Sequence, residues 1–378
     1  MQRTGYANLP LHPGKAPSWL TGRMCKLAKE ISAIMIDEYG AEKYLARISD
    51  PHWFQAFGCV LGYDWHSSGV TTVVTGVLKT ALTPQEHGIV VCGGKGKTSR
   101  KAPSEIAETA SKFGFSEKQI ETLTYTSRIT AKVDNTAIQA GYQLYHHAFF
   151  ITENAKWAVI QQGMSAADRT ARRYHWLSAK TKDFVVEPHN AIVGDTKRQT
   201  VLNMTAKESE GSRKTSVDLA IEPTRKLMRQ AQAIPQPTPL NQKSLQQWLP
   251  NASSSQRLTT LSMPRNINWD ALSQAYETQP SNYEELLNIK GIGPATVRGL
   301  ALIAELVYGE KPSWKDPVKY SFAYGGKDGV PYPVNRRAMD ESIQILKETV
   351  QAAKVGDKEK TQALQRLRVF VPPDAETS

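Results

Sequence analysis

Apolar positions from Leu20 to Tyr39 recur three and four apart, which predicts an amphipathic helix after an irregular, proline-rich arm over Ala7–Pro17. A second helix is expected across Ala41–Leu45. The next string, PHWFQAFGCVLGYDWHSSGVTTVVTGVLKTAL, is dense in aromatic and β-branched residues and broken by glycines, so part of it is expected as buried strand. Ile89–Cys92 reads as a short apolar strand entering a glycine-lysine loop at Gly93–Lys101. Pro103–Phe113 reads as a helix with Glu105 and Glu108 in its early turns. Alternation over Tyr142–Ile151 and Trp157–Gln162, around a turn at Thr152–Lys156, predicts a β-hairpin. It sends His146 and His147 to opposite faces, and Gln161 and Gln162 likewise. Ala166–Ser178 is expected as a basic helix carrying Arg169, Arg172, Arg173 and His175, and Phe184–Val186 as a strand ending in Glu187-Pro188-His189.

The second half predicts a strand around Val201, a charged helix at ESEGSRKTSVDLA and a basic helix over Arg225–Ile234. Ile234–Gln256, rich in proline, glutamine, serine and asparagine, reads as a linker with a one-turn helix near Leu245–Leu249. Helices resume at Asn268. Within Tyr283–Tyr308, Leu286, Leu287 and Ile289 close a first helix, Gly291 and Gly293 make a turn, and Pro294 opens a second helix at its favoured first position. Asp316–Arg336 is a long, glycine-bearing loop of the kind that usually carries function. An amphipathic helix over Ala338–Val355, continued by Asp357–Arg368, is expected to close that domain. The pattern predicts an α/β N-terminal domain with a mixed sheet over residues 1–230, a linker over 231–265, and an all-α helix-hairpin-helix domain over 266–372.

A formal net charge of +11 favours a polyanionic partner. The chain has no apolar run long enough to span a bilayer, and its start, MQRTGYANLPLHPGKAPSWL, has no apolar signal-peptide core. No membrane partner is expected. Cys25, Cys59 and Cys92 are widely spaced, which argues against a disulfide framework or a cysteine metal site and for a reducing cytoplasm.

The string KGIGPAT resembles the DNA-binding helix-hairpin-helix of repair glycosylases, polymerases and nucleases. Peptide N–H groups at such a turn have no intrahelical partners and sit at a positive dipole end, a surface suited to phosphate. Lys290, Gly291, Ile292, Gly293, Ala295 and Thr296 are therefore expected to contact the backbone of duplex or branched DNA without reading bases. Gly96-Lys97-Thr98 spells the end of a P-loop, but Val91 stands where the first glycine is required and Pro103 follows closely. Lys95 and Lys97 are expected on DNA phosphates instead.

All eight histidines lie at or before position 189. Asp64-x-His66 and Glu187-x-His189 each pair a carboxylate with an imidazole two residues on, which on extended backbone share a face. Joined by His146 or His147 they could hold a water-activating Mg²⁺, Mn²⁺ or Zn²⁺, with Mg²⁺ or Mn²⁺ the expected ion and Arg172 and Arg173 neutralising a phosphate. Asp64 and Glu187 would be metal carboxylates, and His66 and His189 ligands or proton carriers. Ordinary packing of these histidines is the competing reading. The expectation is thus a DNA-binding protein acting as a metal-dependent nuclease, with a non-catalytic recruitment module as the alternative.

The strings DWHSSGVTT, GGKGKTSRK, GYQLYHH, WAVIQQGM, ARRYHW, EPHNAI and KGIGPATV, in this order, resemble the prokaryotic family labelled domain of unknown function 763, which carries a helix-hairpin-helix near its C-terminus. The resemblance implies a DNA-processing or repair role and nothing finer. A narrower analogy is with helix-hairpin-helix DNA glycosylases, whose catalytic aspartate follows the hairpin at a distance that Asp316 matches. The glycosylase-like string Pro333-Val334-Asn335-Arg336 carries Asn335 where a carboxylate is needed, which makes this the lesser alternative.

Overall fold

The computed structural model describes residues 18–63, 68–194, 197–234, 262–318 and 336–370. It begins with helices α1 (Ser18–Tyr39), α2 (Ala41–Ile48), α3 (Pro51–Leu61), α4 (Gly69–Ala81) and the single turn α5 (Pro84–His87). The aromatic stretch expected in part as strand is helical on both sides of residues 64–67. Local signals explain α3: the Asp50 carboxylate accepts from His52 N at 2.9 Å and Trp53 N at 2.8 Å, Pro51 takes the first position, and Gly62 ends the helix at φ 98°. Every residue of α3 is buried, so no amphipathic period marks it. Gly58 lets α3 meet α4 closely, because a Cβ there would stand 3.0 Å from Val70 Cγ1 and 3.2 Å from Val74 Cγ2.

The centre is a five-stranded sheet of β1 (Ile89–Lys95), β3 (Gln143–Thr152), β4 (Trp157–Ser165), β5 (Thr170–Leu177) and β6 (Ala191–Gly194), in the order β1-β3-β4-β5-β6 with antiparallel pairings. A small ladder joins β2 (Ile138–Gln139) to β7 (Leu202–Asn203). The predicted hairpin is present, with His146 opposite Gln162 and His147 opposite Gln161. The basic helix expected over Ala166–Ser178 is instead strand β5, buried from Ala171 to Leu177. Its arginines suggest a solvated face, but pairing on both edges and burial of both faces override that preference. Phe184–Val186 is not a strand, because Asp183 Oδ1 accepts from Val185 N at 2.6 Å and Val186 N at 2.8 Å and turns the chain.

Helices cover both sheet faces. On one side α6 (Ala102–Phe113), α7 (Glu117–Thr136), α8 (Glu210–Ala220), α9 (Thr224–Ala233), α10 (Trp269–Thr278), α11 (Tyr283–Asn288) and α12 (Pro294–Tyr308) share one apolar cluster with Cys92, Phe149, Trp157, Val159, Tyr174 and Trp176. On the other, α1–α4 pack with Val91, Ala148, Phe150, Ala158 and Ile160. Helices α13 (Arg336–Ala352) and α14 (Asp357–Phe370) join this second cluster through Leu346, Val350, Ala363 and Leu367. They close against the N-terminal helices and not against the helices bearing the glycine turn. Both clusters draw residues from either side of position 230. The expected linker core, 235–261, and most of the Asp316–Arg336 loop lie outside the described residues.

Candidate nucleic-acid interface

Asn282 caps α11, its Oδ1 accepting from Glu285 N at 2.9 Å, and Tyr283, Leu286 and Leu287 bury one side of that helix. The chain then turns at Gly291, with φ 93°, drops Ile292 fully into the apolar cluster, and enters α12 through Pro294. The two glycines have different tasks. A Cβ on Gly291 would stand 2.7 Å from Asn268 Nδ2 and 3.0 Å from Ala271 Cβ, whereas one on Gly293 meets nothing nearer than 3.9 Å. Gly291 is required by the turn; Gly293 keeps the surface bare. Lys290 and Gly291 are exposed and Ala295 is half-buried, while Thr296 is buried and its hydroxyl accepts from Asn268 N at 3.1 Å. Thr296 therefore offers its backbone N–H, not its side chain, to a ligand at the helix start.

The turn sits on the C-terminal end of α7. Lys132 Nζ donates to the Ile289 carbonyl at 3.4 Å, and Gln139 Nε2 to the Pro294 carbonyl at 2.8 Å. Burial pushes the Lys132 ammonium below the usual lysine range. Leu144 N, at the start of β3, donates to Asn135 Oδ1 at 3.3 Å. Lys95, the last residue of β1, lies opposite His146 near the start of β3, so the loop that follows β1 and the glycine turn lie toward one end of the sheet. In that loop Lys95, Lys97, Arg100 and Lys101 are exposed. Its root is fixed: Lys79 Nζ donates to Gly93 O at 2.7 Å and contacts Glu105 at 2.6 Å, while Glu105 accepts from Gly93 N at 2.7 Å. Gly93 is at φ 89°, and a Cβ there would run into the His147 carbonyl.

The histidines occupy two buried polar layers. Behind α7, His147 bridges Ser127 Oγ at 2.9 Å and Gln161 Oε1 at 3.0 Å. Gln161 Nε2 and Trp176 Nε1 donate to the buried Asp134 carboxylate at 2.7 and 3.0 Å, and His189 Nε2 makes a short contact with its other oxygen. Beneath α3 and α4, His146 Nε2 pairs with Thr75 Oγ1 at 2.9 Å, Gln162 bonds Thr71 and Tyr145, and Arg173 Nε donates to His175 Nε2 at 2.9 Å. Burial lowers His146 to about 3 and His147 to about 4, drives His175 well below its ordinary value and raises Asp134. The first layer was poorly legible in sequence. Its signal was Ser127, Thr130 and Asp134 recurring at helical spacing on the face that also carries Leu123 and Val133.

These layers do not assemble the expected metal site. Asp64 and His66 lie outside the described residues. Glu187 adopts a left-handed φ of 45° in a turn, not extended backbone, so it and His189 do not share a face. Its carboxylate faces outward, 3.5 Å from Lys207 Nζ, while His189 is committed to Asp134. Among the described residues no group of three or more His, Cys, Asp or Glu could hold a metal ion. Arg172 and Arg173 are fully buried on opposite faces of β5 and do not present a phosphate clamp. Arg172 grips Asp316 with two bonds of 3.0 and 2.7 Å and lies 4.6 Å from the Tyr142 ring centre. The glycosylase-like aspartate is thereby already occupied.

The model of the family described as Protein of unknown function (DUF763) matches residues 5–334, most of the chain and every element from α1 to α12. This chain belongs to the DUF763 family. The match spans both the buried histidine layers and the glycine turn. Comparison with curated proteins and with solved structures returns no match. No helix among the described residues is long and apolar enough to cross a membrane.

Proposed function

We propose that this DUF763 protein grips the phosphate backbone of duplex or branched DNA, in a repair or processing role, through Lys290–Thr296 together with the loop Lys95–Lys101. The observation that carries this reading is the bare turn at Gly291–Gly293: its side-chain plug, Ile292, points inward and its backbone points outward at the start of a helix. Exposed Lys290, Lys95 and Lys97 toward the same end of the sheet, and a net charge of +11, agree with it. Contacts of this kind position a protein on nucleic acid without selecting a sequence.

The test is binding of labelled single-stranded, duplex and branched DNA, with and without Mg²⁺ or Mn²⁺. Gly293→Ala fits the backbone but places a methyl where a phosphate oxygen would approach, so duplex affinity should fall roughly tenfold at unchanged melting temperature. Unaltered affinity in folded Gly293→Ala and Lys290→Ala proteins would count against the reading. Metal-dependent cleavage that disappears in Asp64→Asn would restore the nuclease expectation, which the geometry of Glu187 and His189 does not support.

A further inference from the structure

Residues 235–261 lie outside the described residues, and the chain is held on either side of them in one apolar cluster, by Ile234 and Met263. Within this stretch Leu245, Trp248 and Leu249 stand together in a background of proline, glutamine, asparagine and serine. Their spacing is specific. Gln242, Leu245 and Trp248 recur three residues apart, and Leu249 follows Trp248 directly. The string thus holds three apolar side chains preceded by one amide. Pro239 stands upstream of the string and Pro250 directly after Leu249. A tryptophan and two leucines in a polar tether are anchors for a pocket on another molecule.

We infer that Gln242–Leu249, QKSLQQWL, docks this protein onto a ring-shaped DNA sliding clamp. Peptides that bind such rings place a glutamine, an aliphatic residue three positions later, and an aromatic followed by an aromatic or aliphatic residue three and four positions after that. Here those positions are Gln242, Leu245, Trp248 and Leu249. The pairing is coherent with phosphate binding at the glycine turn, since a clamp encircles duplex DNA, but it does not depend on that reading. The chain's own exposed apolar residues near the end of α12, Leu306, Val307 and Tyr308, are the competing occupant, because Tyr308 accepts from Gln230 of α9 at 2.7 Å, close to where the stretch departs.

The experiment measures binding of the full-length protein to the purified sliding clamp of the same organism, without DNA, by calorimetry. Saturable binding is expected, and Leu245→Ala with Trp248→Ala should weaken it by about thirtyfold while leaving the melting temperature unchanged. Gln242→Ala should weaken it to a lesser degree. A clamp that binds a known clamp peptide but not this protein overturns the inference, as does full binding by the double mutant. A lowered melting temperature in the double mutant with no clamp binding would also overturn it, in favour of the α12 surface. Loss of DNA binding in Gly293→Ala leaves this result untouched, so the two proposals fail separately.

Discussion

Asp316 stands where analogy puts a catalytic carboxylate, and its neighbours give it a different task. Two bonds from Arg172, one from Arg198 N at 2.7 Å and one from Val318 N at 3.1 Å saturate it in a site with no exposed side-chain surface. It fastens the segment after α12 to the face of β5. Asp316→Asn would leave Arg172 as a buried cation without its counter-charge, which costs about 3 kcal/mol or more. Chemical denaturation should show that loss while duplex affinity of the folded fraction stays as before. An unchanged denaturation midpoint together with a lost enzymatic activity would instead return Asp316 to catalysis.

At the scale of elements, β3 carries the clearest pH dependence. His146 and His147 face opposite layers, and burial holds them to about 3 and about 4 against an ordinary value of 6.5. Both groups therefore stay neutral in the folded protein while the unfolded chain takes up protons below pH 6.5. Their contribution is fully present above that pH and is withdrawn as pH falls toward 4, by on the order of 3 kcal/mol for each. Denaturation midpoints between pH 7 and pH 4.5 should fall steeply, and His147→Gln should flatten the slope. The same strand shows what sequence makes visible. Alternation exposes the β3–β4 hairpin and separates its paired histidines and glutamines, because one period fits both layers. It is silent for α3, buried all round, and misleading for β5, where Arg172 and Arg173 look like a solvated helix face but end in polar layers on either side of a sheet. Asp316, which holds Arg172, lies 144 residues along the chain from it, and Asp134 lies 42 residues from Trp176, whose indole donates to it, spacings that only the fold closes.

Over the whole molecule, α13 and α14 return to the N-terminal helices, where Arg366 Nη1 donates to Val60 O at 3.2 Å. These two helices thus lie on the sheet face opposite the one that supports the glycine turn, and among the described residues they do not cover that turn. Sequence reading located the turn because glycine, proline and apolar spacing are local; the convergence of Lys95 and Lys97 toward the same end of the sheet comes from β1 pairing with β3 and is not local. If turn and loop hold one duplex, their lysines act on a shared counterion atmosphere. Replacing Lys290, Lys95 and Lys97 together with alanine should make the plot of log affinity against log salt less steep by roughly 3. The single Lys290→Ala change should take about a third of that, uniformly across DNA sequences, because phosphate contacts carry no base readout. A slope that moves with Lys290 but not with Lys95 and Lys97 would remove the loop from the interface and leave the turn alone on the DNA.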